Sequence, residues 1–142
     1  MRRMFAWIVS HPLAYPALEV FHIVGIALLL GNLVLFELRV WGFGPELPVP
    51  ALARLALRLS LLGFALIGAS GLLMFAGQPA ELLANRSFVL KMGLVMLAGL
   101  NAIWFHVRGG IELLDRTARV QTVVSMGLWL AVIICGRWIA YE

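Results

Sequence analysis

Charged residues and cysteine are both scarce in this sequence. Only 13% of its 142 residues are charged and 63% are apolar, whereas about a quarter of the residues of a soluble domain carry charge. A soluble domain of this length could not bury so much apolar surface, so lipid is the expected solvent. The single cysteine, Cys135, has no partner for an intrachain disulfide and is expected to pack in its apolar run. The composition predicts an integral membrane protein.

The sequence also lacks the motifs of soluble enzymes and of nucleic-acid binding. It has no Cys/His cluster, no glycine-rich phosphate loop, and no serine, cysteine or threonine with a base beside it. The net charge of +4 is spread along the chain and forms no basic stripe, which favours lipid headgroups over nucleic acid as the partner. The N-terminal apolar stretch stops at His11-Pro12 without a small-residue cleavage site, so we predict no cleaved signal peptide.

Four long apolar segments predict four membrane-spanning helices, at residues 16–41, 51–76, 87–107 and 118–140. At ~1.5 Å per residue, each is long enough to cross a bilayer. Residues 2–11, with Phe5 and Trp7, predict a short interfacial helix that Pro12 ends. Residues 80–85 are expected to form one more interfacial turn. The sequence therefore predicts an all-α, four-helix membrane bundle forming a single domain.

Arginine is distributed unequally between the two ends of these helices. With four spans, both termini lie on the same side as the loop near residues 77–86. Apart from Lys91 and Arg137, which lie within spans, that side has three arginines near helix ends. The other side has six, namely Arg39, Arg54, Arg58, Arg108, Arg116 and Arg119. The positive-inside rule then predicts that both termini are periplasmic, in a bacterial inner membrane.

Ionisable residues within the predicted spans lie at one level on the side of the termini. Glu19 and His22 are three residues apart and therefore share one face of the first helix. Lys91 lies one turn into the third helix and Arg137 one turn before the fourth ends. Ionised together, these groups carry a surplus positive charge, which favours a haem propionate, a carboxylate or a quinone oxygen. In the structural alternative, both cations snorkel to the interface and Glu19 pairs with one of them.

The positions of the histidines limit how haem can be held. His22 lies near the start of the first helix and His106 near the end of the third, and these helices run parallel. Their imidazoles should be on the order of 20 Å apart, too far to share one iron. His22 is therefore the candidate metal ligand, alone or together with Met74, Met92 or His11.

A second candidate site consists of His106, Asn101 and Glu37, towards the opposite side of the membrane. A structural interpretation is available for each residue. His106 would be an interfacial histidine, and Asn101 would form a hydrogen bond between helices. Glu37 would form an ion pair with Arg39, Arg54 or Arg58.

A set of motifs spans nearly the whole chain: Tyr15…Leu18-Glu19…His22…Gly25, Glu37-Leu38-Arg39, Ser70-Gly71, Asn85…Phe88…Lys91, Asn101-Ala102…Phe105-His106 and Gly136-Arg137. Together they resemble a family of bacterial four-helix membrane proteins of unknown function, in which an aspartate is expected in place of Glu37. The resemblance implies the fold and points to Glu19, His22, Lys91 and Arg137. More distantly, the chain is similar to the small membrane modules of copper-resistance and b-type cytochrome proteins, which favours a metal or haem.

We therefore expect a redox or cofactor-binding membrane subunit rather than a complete enzyme. Its site would bind b-type haem or a quinone at His22, with Lys91 and Arg137 holding anionic groups. Glu19 would orient His22 or accept a proton, and electrons would pass to a membrane or periplasmic partner.

Two alternatives remain open at this stage. One is a transporter or channel for a small anion or a proton, with Glu37, Asn101 and His106 continuing the path. The other is a structural or assembly subunit. Three glycines of the second helix offer a contact for a homo-oligomer, namely Gly63, Gly68 and Gly71.

Overall fold

A computed structural model describes residues 2–141, with the side chains described from residue 5 onward. All regular structure in this range is helical. The helices are α1 (Arg2–Ser10), α2 (Ala14–Val40), α3 (Val49–Gly77), α4 (Pro79–Leu83), α5 (Arg86–Val107), α6 (Gly110–Leu113) and α7 (Arg116–Trp138), and a 3-10 turn (Ile139–Tyr141) follows. Four of them, α2, α3, α5 and α7, are long and apolar enough to cross a membrane. The predicted all-α, four-helix architecture is confirmed.

The long helices begin and end within two residues of the predicted positions. The largest differences, of two residues, are at the N-termini of α2, α3 and α7 and at the C-terminus of α7; α2, for example, begins at Ala14 rather than at Pro16. The Leu13 carbonyl already accepts a hydrogen bond from the amide of Ala17. Pro16 therefore lies inside the first turn, where a missing N–H costs nothing. α5 and α7 begin at side-chain caps. The Asn85 side chain accepts a hydrogen bond from the backbone amide of Phe88, and the Asp115 side chain accepts one from the backbone amide of Ala118.

The helices form two hairpins, α2 with α3 and α5 with α7, and α2 also contacts α7. The closest approach is between two glycines. A Cβ atom at Gly25 would lie 2.7 Å from the carbonyl oxygen of Gly63, and one at Gly63 would lie 2.7 Å from that of Gly25. The backbones of α2 and α3 therefore touch, as at small-residue crossings of membrane helices. Across the hairpins, the Trp41 indole N–H donates to the Thr122 hydroxyl at 2.6 Å.

Two of the three glycines expected at an oligomer contact are used within the chain. Gly63 packs on Gly25. Gly71 lies against the His22 ring, and a Cβ atom built at Gly71 would be 3.4 Å from the Cε1 atom of that ring. Gly68 has nothing within 4 Å of such a Cβ atom. The expected three-glycine contact between chains is therefore wrong for Gly63 and Gly71, because their small size serves the approach of α2 to α3.

The outer surfaces of the four long helices are apolar. Leu72, Leu100, Ile103 and Ile134 are among the large side chains that stay exposed. Lipid is the solvent that such a surface requires. The short helix α1 is different, because it turns one side chain inward: Ile8 is fully buried and packs beside Gly77 at the end of α3. The N-terminal helix is thus docked on the bundle.

A bidentate ion pair closes the turn between α5 and α7. The Arg108 guanidinium donates to both carboxylate oxygens of Asp115, at 2.8 and 3.0 Å. This hydrogen bonding, helped by the amide of Ala118, lowers the pKa of Asp115 from the usual 3.8 to about 2. A depressed carboxyl pKa contributes stability that is present above the unfolded-state pKa and lost as the pH falls through the folded-state pKa.

We therefore expect the thermal stability of the purified protein to fall as the pH is lowered from about 4 to about 2, and Asp115→Asn to weaken that dependence. Melting curves in detergent over this pH range provide the measurement. Glu112→Gln, a neutralisation in the same turn, is the matched control and should leave the dependence in place. Equal slopes for wild type and Asp115→Asn would contradict the assignment.

Candidate functional site

His22 lies half-buried on α2, facing α3. Its Nδ1 atom is 3.0 Å from the hydroxyl oxygen of Ser70. That hydroxyl lies 2.6 Å from the carbonyl oxygen of Leu66, one turn earlier, and donates its hydrogen there. The Ser70 oxygen therefore accepts from His22 Nδ1–H, and the lone pair of the ring is left on Nε2. The expectation that Glu19 orients His22 is wrong, because Ser70 does so.

Small residues of α3 make the place for this imidazole. Ser70 is buried and the next residue, Gly71, has no side chain to fill the space beside the ring. A larger residue at either position would push the imidazole away from α3. The pair Ser70-Gly71 is one of the motifs in the sequence. Its contact with His22 depends on the rotation of α3 about its own axis, which the sequence does not show.

Lys91 joins His22 and Ser70 from a third helix. Its Cδ, Cε and Nζ atoms lie 3.9 Å from a Cβ atom built at Gly136 on α7, so the glycine accommodates the lysine stem. The Lys91 ammonium acts electrostatically on the His22 imidazole. His22 is thus held between α2 and α3, and the charge of Lys91 reaches it from α5.

Glu19 and Arg137 do not join this cluster. Both side chains are exposed. The Arg137 guanidinium donates to the Tyr141 hydroxyl at 2.9 Å and lies 5.0 Å from the centre of that ring. Among the described side chains, residues 5–141, the one ion pair is Arg108–Asp115. The alternative in which Glu19 pairs with Lys91 or Arg137 is therefore wrong, since helix rotation turns Glu19 outward.

The residues considered as further metal ligands differ in their placement. Met74 is half-buried one turn after Ser70, on the same face of α3. Met92 is 44% exposed and faces outward. The Nδ1 atom of His11 accepts a hydrogen bond from the backbone amide of Leu13. The described part of the chain brings no three His, Cys, Asp or Glu side chains together as a metal site. Met74 is the best placed of the three.

A second polar region lies towards the opposite end of the bundle. A partly open cavity of about 80 Å³ is lined by residues of α2, α3, α5 and α7. The predicted residues Glu37, Asn101 and His106 all line it, together with Asn32, Ser60, Gln121, Thr122 and Ser125. Asn101 bonds across helices as expected, donating to the Gln121 carbonyl at 2.9 Å. His106 is itself exposed near the end of α5.

Glu37 lies inside this cavity rather than in an ion pair. Only 2% of the residue is exposed, and the hydroxyl of Ser125 is its hydrogen-bonding neighbour. Arg39 turns away and donates to the carbonyl of Leu47 at 2.8 Å. The predicted pairing of Glu37 with Arg39, Arg54 or Arg58 is therefore wrong. Arg39 is two residues away and does not share a face of α2 with Glu37, and Arg54 and Arg58 on α3 are exposed. Sequence analysis missed Gln121 and Ser125, although both are polar residues within an apolar span.

No protein-family model, curated protein or solved structure matches this chain. The resemblance in the sequence motifs therefore stays a prediction. The two polar regions, around His22 and around Glu37, are the features of the structure that bear on function.

Proposed function

We propose that this chain is a membrane subunit that binds a redox cofactor at His22 and passes electrons to a partner protein. The hydrogen bond of His22 Nδ1 to Ser70 Oγ, at 3.0 Å, carries the proposal. It orients the ring and leaves a lone pair on Nε2. Histidines that ligate metals are held in the same way, with the second nitrogen bonded to the protein.

This protonation pattern favours a b-type haem over a quinone. Nε2 can only accept a hydrogen bond, and a quinone carbonyl oxygen can also only accept, so the two atoms would repel each other. The lone pair of Nε2 would, in contrast, be suited to hold an iron atom. When bound, a haem would supply one-electron redox chemistry at its iron. A quinone would instead have to take its hydrogen bond from Lys91.

The remaining residues have separate tasks in this proposal. Lys91 would hold a propionate, as an ammonium group beside a carboxylate. Arg137 lies outside this cluster and donates to the Tyr141 hydroxyl, so the proposal gives it no contact with the cofactor. Met74, one turn after Ser70 on the same face of α3, would be a second protein ligand. These groups lie on the side of the termini, which we place in the periplasm from the distribution of arginines.

Absorption spectra of protein purified from its native membrane test the proposal. We expect a Soret band, with α and β bands that sharpen on reduction with dithionite. His22→Ala should abolish all three, because it removes the nitrogen that would hold the iron. Ser70→Ala should retain haem but shift the reduction potential, because it removes the hydrogen bond to the ligand's second nitrogen.

His106→Ala is the matched control, since it removes a histidine from the other end of the bundle and should leave the spectrum unchanged. Circular dichroism shows whether the variants fold. A colourless wild-type protein after haem supplementation, or a full Soret band in folded His22→Ala, would refute the proposal.

A further inference from the structure

The cavity between the hairpins contains buried polar atoms for which the described residues offer no partner. They are Oε2 of Glu37 and both side-chain amide atoms of Gln121, Oε1 and Nε2. Glu37 is 2% exposed and Gln121 is 4% exposed. Buried polar atoms are nearly always hydrogen-bonded, and leaving one unpaired costs about 1–3 kcal/mol. Three such atoms in one cavity therefore indicate that it binds something.

The donors and acceptors of these atoms define the chemistry of the ligand. Two of them, Glu37 Oε2 and Gln121 Oε1, are oxygens, and the third, Gln121 Nε2, carries hydrogens. A metal cation would leave the Nε2 hydrogens unmatched, whereas water both donates and accepts. The volume of about 80 Å³ agrees with this, because a water needs roughly 10–15 Å³ of such space and organic ligands need about 300 Å³ or more. The cavity suits a few water molecules.

The charges around Glu37 bear on how its carboxylate is neutralised. The polar groups that line the cavity are Asn32 from α2, Ser60 from α3, Asn101 and His106 from α5, and Gln121, Thr122 and Ser125 from α7. No lysine or arginine is among the lining residues, and His106 is the one other titratable group. Glu112 acts electrostatically on His106 from the outside. An isolated carboxylate at this depth would be costly, so a proton is the available counter-charge.

We propose that this cavity is a hydrated proton-binding site. In it the Glu37 carboxylate takes up a proton that arrives from the surface along water held by Gln121, Asn101 and Ser125, and releases it by the same route. His106 lines the cavity and is also exposed at the end of α5, so its imidazole connects the internal water with the surface. The site does not depend on a cofactor at His22. It supplies the protonatable group that the proton-transport alternative needs.

Infrared difference spectroscopy of the purified protein in lipid tests this site. The stretching band of a protonated carboxyl is expected at neutral pH, shifted in D₂O and lost in Glu37→Gln. Glu46→Gln, which removes an exposed carboxyl of the loop between α2 and α3, should keep the band. A band that survives unchanged in folded Glu37→Gln would overturn the proposal.

Two further measurements separate water-mediated protonation from other occupants. Gln121→Leu removes the unpaired amide, and His106→Ala removes the connection to the surface. Both substitutions should slow the exchange of hydrogen for deuterium seen in the Glu37 carboxyl band. The visible absorption spectrum that depends on His22 should stay as in wild type. An unchanged exchange rate in both variants would overturn the water route. Loss of the band on adding NaCl at constant pH would assign the cavity to a metal cation and refute the proton site.

Discussion

The substitution Gly63→Leu is expected to abolish the packing of α2 on α3. A Cβ atom at this position would lie 2.7 Å from the carbonyl oxygen of Gly25 and 2.8 Å from the amide nitrogen of Leu29. Both are backbone atoms of the facing helix, so the helices must move apart. Overpacking in a tight interior costs typically 1–3 kcal/mol, and a leucine adds three more carbon atoms than the Cβ alone. Loss of the folded state in detergent is the expected result.

Unfolding in increasing concentrations of a denaturing detergent measures this effect. Gly68→Leu is the matched control, because it lies on the same helix and a Cβ atom there has nothing within 4 Å. Both substitutions improve intrinsic helix propensity by about 1 kcal/mol, so their difference isolates the crossing with Gly25. Equal stability of the two variants would show that α2 and α3 do not meet at Gly63.

Phe105→Ala should be the most destabilising truncation of an apolar side chain on α5. Phe105 is 5% exposed and its ring meets Phe36 of α2 edge to face, with ring centres 6.0 Å apart. Its other side closes on Gly110, where a Cβ atom would lie 2.6 Å from the ring. Truncation of a buried phenylalanine costs about 3–5 kcal/mol, through lost contacts and the cavity that remains.

The same unfolding measurement applies to this variant. Phe64→Ala is its control, since Phe64 is 47% exposed on the outer surface of α3, where lipid can fill the space. We expect a large loss of stability for Phe105→Ala and a small one for Phe64→Ala. Similar losses for both would mean that Phe105 is not a packed contact between the hairpins.

The spans were predictable because the membrane dictates them. A run of apolar residues about 20 long has one stable form in lipid. The caps Asn85 and Asp115, which the prediction did not use, set the starts of α5 and α7 in the structure. Counting residues from the helix ends also predicted one level for His22 and Lys91, because the rise per residue is fixed; in the structure the charge of Lys91 acts on the His22 imidazole.

The rotation of each helix about its axis was much harder to predict. In a helix that is apolar on nearly every side, no hydrophobic stripe shows which face turns inward. The prediction therefore gave His22 the neighbour Glu19 from its own helix, whereas the structure gives it Ser70 from α3. The spacing of Glu37 and Arg39 already argued against an ion pair between them, because residues two apart on a helix do not lie on the same face.

The close contact of Gly25 with Gly63 has a consequence for the order of assembly. α2 and α3 are consecutive, and a loop of few residues separates them, so little chain entropy is lost when they meet. The same holds for α5 and α7. Each pair can enter the bilayer as a preformed helical hairpin during synthesis, the first before the second has left the ribosome. We then expect the docking of one hairpin on the other to come last, so that contacts such as the hydrogen bond of Trp41 to Thr122 form after those within each hairpin.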